Sequence, residues 1–170
     1  VPSGQRCGNV ISALDVTATL LDALGAPALP NAAGRSFLNL VNGTEIKALW
    51  EDEAFTEYCS DEYAPPGGCY QRMVRRGEWK LVYYHGQPPQ LFNLVEDPDE
   101  LHDRAGDPAC QEIQQALTER VLDGWDPVEI KAKMAAIRAD NQILRDWARR
   151  THPQEQYRWD LRPEICRLET

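Results

Sequence analysis

The chain has 170 residues, of which 27 are acidic and 18 basic, for a formal net charge of −9. That is one ordinary domain or two small ones, and an apolar content of 42% belongs to a chain that folds. Excess acid argues against a nucleic-acid binder, because phosphate backbones are held by excess Lys and Arg; no apolar run approaches the ~20 residues that span a bilayer, and no leader is visible.

Residues 1–9 read as loop, and Val10-Ile11 as a short buried strand. A helix is predicted over Ala13–Leu24, with Leu14, Leu20, Leu21 and Leu24 sharing a face and Gly25 followed by Pro27 as its stop. Residues 26–36 read as loop and Ser36–Val41 as a short apolar segment ended by Asn42-Gly43. Residues 45–64 carry seven acids against Lys47 alone. Within them Ala54–Cys59 is predicted as a strand, and Ser60–Gly68 as a loop. Three strands follow: Tyr70–Arg75, Trp79–Tyr84 and Gln90–Leu94. They are separated by the turns Arg76-Gly77-Glu78 and His85–Pro89, the pattern of an antiparallel meander.

Asp97-Pro98, Asp107-Pro108 and Asp126-Pro127 read as helix starts, with Asp as the cap and Pro at the first helical position. Glu100 and Glu129, three residues after their Asp, fit a capping box. The helix from Pro108 places Cys110, Ile113, Leu117 and Val121 on one face and stops at Gly124. The helix from Pro127 carries Ile130, Met134, Ile137, Leu144 and Ala148 at helical spacing, with Asn141 inside the stripe, where a polar residue can fix register between helices. Residues 150–170 read as extended and irregular. Charge is uneven: residues 131–170 sum to +3 and residues 1–130 to −12, so the tail is predicted to lie against something acidic.

Little in the chain resembles a reaction centre. His85, His102 and His152 lack the spacing of a zinc motif, and there is no nucleophile elbow, P-loop or dinucleotide fingerprint. The run Glu51-Asp52-Glu53 lacks the alternation and glycine of a calcium loop and reads as a solvated face. Arg72, Arg75, Arg76 and Lys80 could hold an anion or neutralise that acidic run. Cys7, Cys59, Cys69, Cys110 and Cys166 are odd in number and irregular in spacing, which is no disulfide framework. Free thiols in a reducing compartment are expected, which favours the cytoplasm; a single Cys59–Cys69 bridge stays open. Residues alone give an α+β domain.

The order of motifs resembles the C-terminal portion of the sulfatase family, in the alkaline-phosphatase-like superfamily. Asp15-Val16-Thr17-Ala18-Thr19-Leu20-Leu21-Asp22-Ala23-Leu24-Gly25 is similar to the family's Asp-x-x-Pro-Thr-Leu-Leu-Asp-x-x-Gly. Gly34-Arg35-Ser36 follows, then Glu57-Tyr58. The hairpin Met73-Val74-Arg75-Arg76-Gly77-Glu78-Trp79-Lys80 comes next, and then Leu91-Phe92-Asn93-Leu94-Val95-Glu96-Asp97-Pro98-Asp99-Glu100. The departures are Ala18 for Pro and Phe92-Asn93 for Tyr-Asp. The helical tail from Trp125 is similar to the extension of bacterial sulfatases and phosphonate monoester hydrolases.

The resemblance implies an α+β segment, the C-terminal part of an alkaline-phosphatase-like α/β fold with a small antiparallel sheet and a helical extension. Residues 1–44 would end the upstream α/β domain, 45–124 form the sheet-and-helix subdomain, and 125–170 the extension. It also implies a parent sulfuric-ester hydrolase that attacks a sulfate monoester with hydrated formylglycine. No Cys here begins the Cys/Ser-x-Pro/Ala-x-Arg motif that formylglycine needs, and the family's calcium ligands and catalytic Lys and His lie upstream of the matched region. The segment is therefore expected to carry no catalytic residue and no metal or other cofactor, and to be inactive alone. A divalent cation, calcium in the family, is expected upstream. Expected partners are the upstream domain, a small sulfate ester, and a second copy of the chain through the 127–149 helix and tail; nucleic acid and membrane are not. Tyr58, Tyr63, Tyr84 and His85 are candidates to border the substrate. Phosphonate or phosphate ester hydrolysis, and a free-standing α+β interaction module, are the alternatives.

Overall fold

The computed structural model describes residues 4, 6–43, 50–60 and 68–152. Tyr63, Cys166, parts of the acidic run and of the Ser60–Gly68 loop, and the tail beyond His152 lie outside the described residues. The chain divides into compact units at 1–131 and 132–170.

Helix α1 spans Ala13–Ala23. Ser12 caps it, accepting from the Leu14 N–H, and Asp15 returns its carboxylate to the Ser12 N–H at 2.8 Å, completing a capping box. Short helix α2, Leu38–Asn42, ends at Gly43 in the left-handed conformation, φ 72°. Val10 is buried as expected but not in a strand. Its N–H donates to Asp52 Oδ1 (2.6 Å) and its carbonyl accepts from Trp50 Nε1 (3.0 Å), so side chains take the bonds a partner strand would have supplied.

The predicted meander is present, and the strand predicted at Ala54–Cys59 joins its edge in sequence order. β1 (Glu53–Ser60), β2 (Cys69–Arg76), β3 (Trp79–Tyr84) and β4 (Gln90–Asn93) form one antiparallel sheet of order β1-β2-β3-β4. Gly77, at φ 56°, makes the β2–β3 turn, and its N–H is held by the Asp52 carbonyl at 2.9 Å.

One sheet face is the core. Val74 pairs with Leu81, and Leu81 with Leu91. All three are fully buried against Cys110, Leu117 and Val121 of the following helical segment, with Phe55, Trp79, Tyr83 and Ile113 around them. That segment is a 3-10 turn, Pro108–Cys110, running into α3, Gln111–Leu122. Asp107 caps the turn through the Ala109 N–H at 2.9 Å. Trp125 closes the end of the core, edge-on to Tyr83 with ring centroids 6.0 Å apart. Helix α4 spans Pro127–Thr151, and Asp126 accepts from the Val128 N–H at 2.8 Å.

The third Asp-Pro pair corrects the expectation. Asp97-Pro98 starts no helix. Asp97 Oδ2 reaches five residues on to the His102 N–H (2.8 Å), which fastens a loop. Glu100 stands at φ 55°, where a helix would need its first turn, and its carboxylate meets Lys80 Nζ at 2.5 Å. Asn93 Oδ1 accepts from the Val95 and Glu96 N–H groups, an oxygen acceptor in the place the family pattern gives to Asp.

Candidate functional site

Two arrangements hold the residues singled out by sequence. The first is a clasp along α1. Asp15, Thr19 and Asp22 recur at helical spacing on one face. Each accepts from the segment 35–37: Asp15 Oδ1 from the Arg35 N–H (2.8 Å), Thr19 Oγ1 from the Phe37 N–H (3.0 Å), and Asp22 Oδ2 from the Ser36 hydroxyl (2.5 Å). Thr19 donates its own hydroxyl to the Asp15 carbonyl at 2.6 Å. Gly34 permits the approach, since a Cβ there would run into the Leu14 carbonyl. The Asp15–Gly25 motif and the Gly34-Arg35-Ser36 motif are thus two halves of one contact.

Arg35 extends the clasp to the segment that leads into β1. Its guanidinium lies over the Trp50 ring, 4.1 Å from the centroid, and donates to the Glu51 carbonyl. The clasp uses the polar side of α1. Leu14, Leu20 and Leu24, predicted to share the apolar face, are 60%, 60% and 80% exposed. A groove of about 700 Å³ lies beside them, lined by Leu14, Leu21, Leu29 and Pro30 among others.

The second arrangement is the sheet face turned away from α3. Register puts Tyr58 beside Gln71 and Gln71 beside Tyr84. Two of the four candidate residues therefore stand in one row, two strand spacings or about 10 Å apart. Tyr84 donates its hydroxyl to Gln90 Oε1 at 2.7 Å, and burial, ahead of the neighbouring Cys69 and Asp103, raises its phenol above the ordinary value. Tyr58 is exposed. His85 begins the β3–β4 turn, pinned by its N–H to the Tyr70 carbonyl at 2.9 Å. Phenol, amide and imidazole groups can border and orient a polar ligand.

The cysteines do not form a nucleophilic site among the described residues. Cys7, Cys59, Cys69 and Cys110 are free thiols. Cys69 pairs with Ser60, so Cys59 and Cys69 point to opposite faces of the sheet and cannot be bridged without moving strands. Burial, then the nearby Glu57 and Cys69, pushes the Cys59 thiol up, away from the reactive thiolate. Among the described residues no three His, Cys, Asp or Glu side chains are grouped as a metal would require. None of the described helices is long and apolar enough to cross a membrane.

Sequence reading missed one ionic cluster, on the α3 side of β1. Arg120 of α3 forms a bidentate pair with the half-buried Glu53 carboxylate, 67 residues away. The hydrogen bond from Arg120 holds Glu53 below its ordinary value, against the opposing effect of burial. Arg72 lies 3.1 Å from Glu57 and donates to the Val121 and Asp123 carbonyls, capping the end of α3. Both guanidinium groups lie against Phe55. For Arg72 this settles the open choice: it neutralises the acidic strand. The one available signal was Arg72 lying beside the acids of β1; nothing local marked Arg120.

The described residues thus form a four-stranded antiparallel sheet backed by one helix and preceded by a clasped helix, a mixed α+β arrangement of the sulfatase C-terminal class. The chain belongs to the family described as "N-sulphoglucosamine sulphohydrolase, C-terminal", matched over residues 1–125. It is 31% identical over 159 residues to a choline-sulfatase of Rhizobium meliloti, covering 89% of this chain and 29% of that protein. It is 31% identical over 126 residues to arylsulfatase K of Danio rerio, covering 69% and 23%. Among solved structures it superposes on a sulfatase from Bacteroides thetaiotaomicron with TM-score 0.54 and 28% identity, covering 65% of this chain and 23% of that one. The phosphonate monoester hydrolase of Agrobacterium radiobacter gives 0.55 and 28%, covering 66% and 24%. The chain thus spans under a third of the length of these relatives.

Proposed function

We propose that this chain is the structural C-terminal portion of a formylglycine-dependent sulfuric-ester hydrolase and does no chemistry by itself. The observation that carries the reading is the extent of the match: residues 1–125 fit a sulfatase C-terminal family, yet the chain covers only 23% and 29% of the two sulfatase relatives. Sulfate-ester hydrolysis needs a nucleophile, a cation and a leaving-group acid converging on one sulfur. In this reading the preceding part of the protein supplies formylglycine and the divalent cation, calcium in the family, and this chain's residues ligate neither.

This chain contributes two surfaces. The leucines of α1 pack on the upstream α/β domain. The row Tyr58–Gln71–Tyr84 and the turn at His85 border the mouth of the site and meet the non-sulfate part of a small ester. Phosphonate monoester hydrolysis is the second reading, favoured by the superposition on the Agrobacterium radiobacter enzyme, as close as that on the Bacteroides sulfatase.

The test is kcat/KM of the complete protein on an aryl sulfate and on an aryl phosphonate monoester. Preference for the sulfate is expected. Preference for the phosphonate moves the assignment to the second reading, and turnover of neither overturns both.

A further inference from the structure

Asn42 closes α2 and Gly43 follows it, and the chain has no other Asn-Gly pair. Asn42 is exposed, and Gly43 stands at φ 72° with open space where a Cβ would be. The glycine that the left-handed cap requires is thus also the residue that least hinders attack by its own amide nitrogen on the Asn42 side chain. In the folded chain that nitrogen is not free. Its N–H is held by the Leu40 carbonyl at 3.3 Å and shared with the Asn39 carbonyl. Yet α2 is five residues long and takes no side-chain cap at Phe37, far short of the ~12–15 residues at which an isolated helix holds. What keeps it closed is Leu40, 3% exposed, and the Phe37 N–H that Thr19 Oγ1 accepts at 3.0 Å.

We infer that Asn42 is a site of spontaneous deamidation, controlled by the opening of α2. When the last turn unwinds, the Gly43 N–H gives its proton to hydroxide, and the nitrogen bonds to Asn42 Cγ. The Cγ–Nδ2 bond breaks and ammonia leaves, taking a proton from water. Water then opens the five-membered imide at one of its two carbonyls, leaving aspartate or isoaspartate. The sum is one water in and one ammonia out. The product carboxylate stands against the carbonyl end of α2, where negative charge is unfavourable. Isoaspartate also adds a methylene to the backbone that must turn there. The modified helix therefore re-closes less well over Leu40. Asp123-Gly124 offers the same imide, but from a carboxylate held by Arg120 at 2.7 Å and with no change of mass. This inference stands whichever ester the complete protein cleaves.

The test is peptide mapping by mass spectrometry of the complete protein held in mildly alkaline buffer, folded and in urea, beside hydrogen exchange at the Gly43 amide. Deamidation and exchange start from the same nitrogen, freed by the same opening. The folded protein should therefore convert Asn42 more slowly than the unfolded one by the Gly43 protection factor, to within about threefold. Thr19→Ala strands the Phe37 N–H, and Leu40→Ala empties the buried seat of α2. Each should speed conversion about tenfold or more, with the sheet's near-ultraviolet circular dichroism unchanged. Asn42→Gln should leave that peptide unconverted. Conversion in the folded protein as fast as in urea, a slowing that departs from the protection factor, conversion first at another Asn, or a rate unmoved in either Ala variant would each overturn the proposal.

Discussion

Asp15 and Arg35 are twenty residues apart in sequence, yet Asp15 Oδ1 accepts from the Arg35 N–H at 2.8 Å. The same carboxylate holds the Ser12 N–H with its other oxygen. One buried side chain thus starts α1 and anchors the returning segment. Asp15→Ala removes both acceptors and strands two amides. A loss of about 2–3 kcal/mol is expected, seen as faster amide exchange at Ser12, Arg35 and Phe37 with the sheet unaffected.

Gly34→Ala reaches the same clasp from the other side. The added methyl collides with the Leu14 carbonyl, which is backbone and cannot swing away. The cost should be about 1–3 kcal/mol. It should fall on residues 12–37, whereas Gly86→Ala, at φ 78° with open space around it, should strain only its own turn. Equal exchange protection of Arg35 and Phe37 in wild type and Gly34→Ala would count against the contact.

The Glu53–Arg120 pair should give stability its acid limb. Arg120 lowers the folded-state carboxyl of Glu53 below the ordinary 4.5. A depressed carboxylate contributes stability that is full above the unfolded value and is lost as pH falls through the folded value. The melting temperature should therefore drop below about pH 4.5. Arg120→Met should remove that part of the slope and cost about 2 kcal/mol at neutral pH, less than for a fully buried pair because Arg120 keeps a third of its side-chain surface in water. An unchanged acid limb in Arg120→Met would contradict the assignment.

How much of this was legible in the sequence follows from where the bonds run. The β2–β3 hairpin was, because Gly77 and the alternation around it are local signals; the predicted limits of β3, Trp79–Tyr84, are those observed. The core face of α3 was legible from helical spacing. Asp97 departs from the expected cap because Asp-Pro marks a turn as well as a helix start, and the deciding bond goes to His102. The clasp was not legible from spacing alone, since its partners are separated by the 24–34 loop. Arg120 could not be found because its partner is 67 residues away.

For the site, sequence puts Tyr58 and Tyr84 on the first and third strands, but only the register puts them in one row through Gln71. In the complete protein, Tyr84→Phe keeps the ring and removes the hydroxyl that meets Gln90. A KM raised by about threefold to tenfold with kcat held is expected if the row borders substrate. A fall in kcat at constant KM would instead place the phenol in the chemistry.

The leucines of α1 distinguish scaffold from free-standing module. Leu20→Lys/Leu24→Lys should leave the melting temperature of the isolated chain within about 1–2 °C, since both side chains already face water. In the complete protein the same change should cost about 1.5–3 kcal/mol per leucine through lost burial. Equal effects in the two settings would mean that α1 packs on nothing upstream.

The most direct measurement of the central claim is aryl-sulfate turnover by the purified 170-residue chain, set against the complete protein under the same conditions with calcium present. The complete protein should release the phenol, and the chain alone none above buffer. Sustained turnover by the chain, co-purifying with it through two unrelated columns, would contradict the claim that its residues frame the chemistry without performing it.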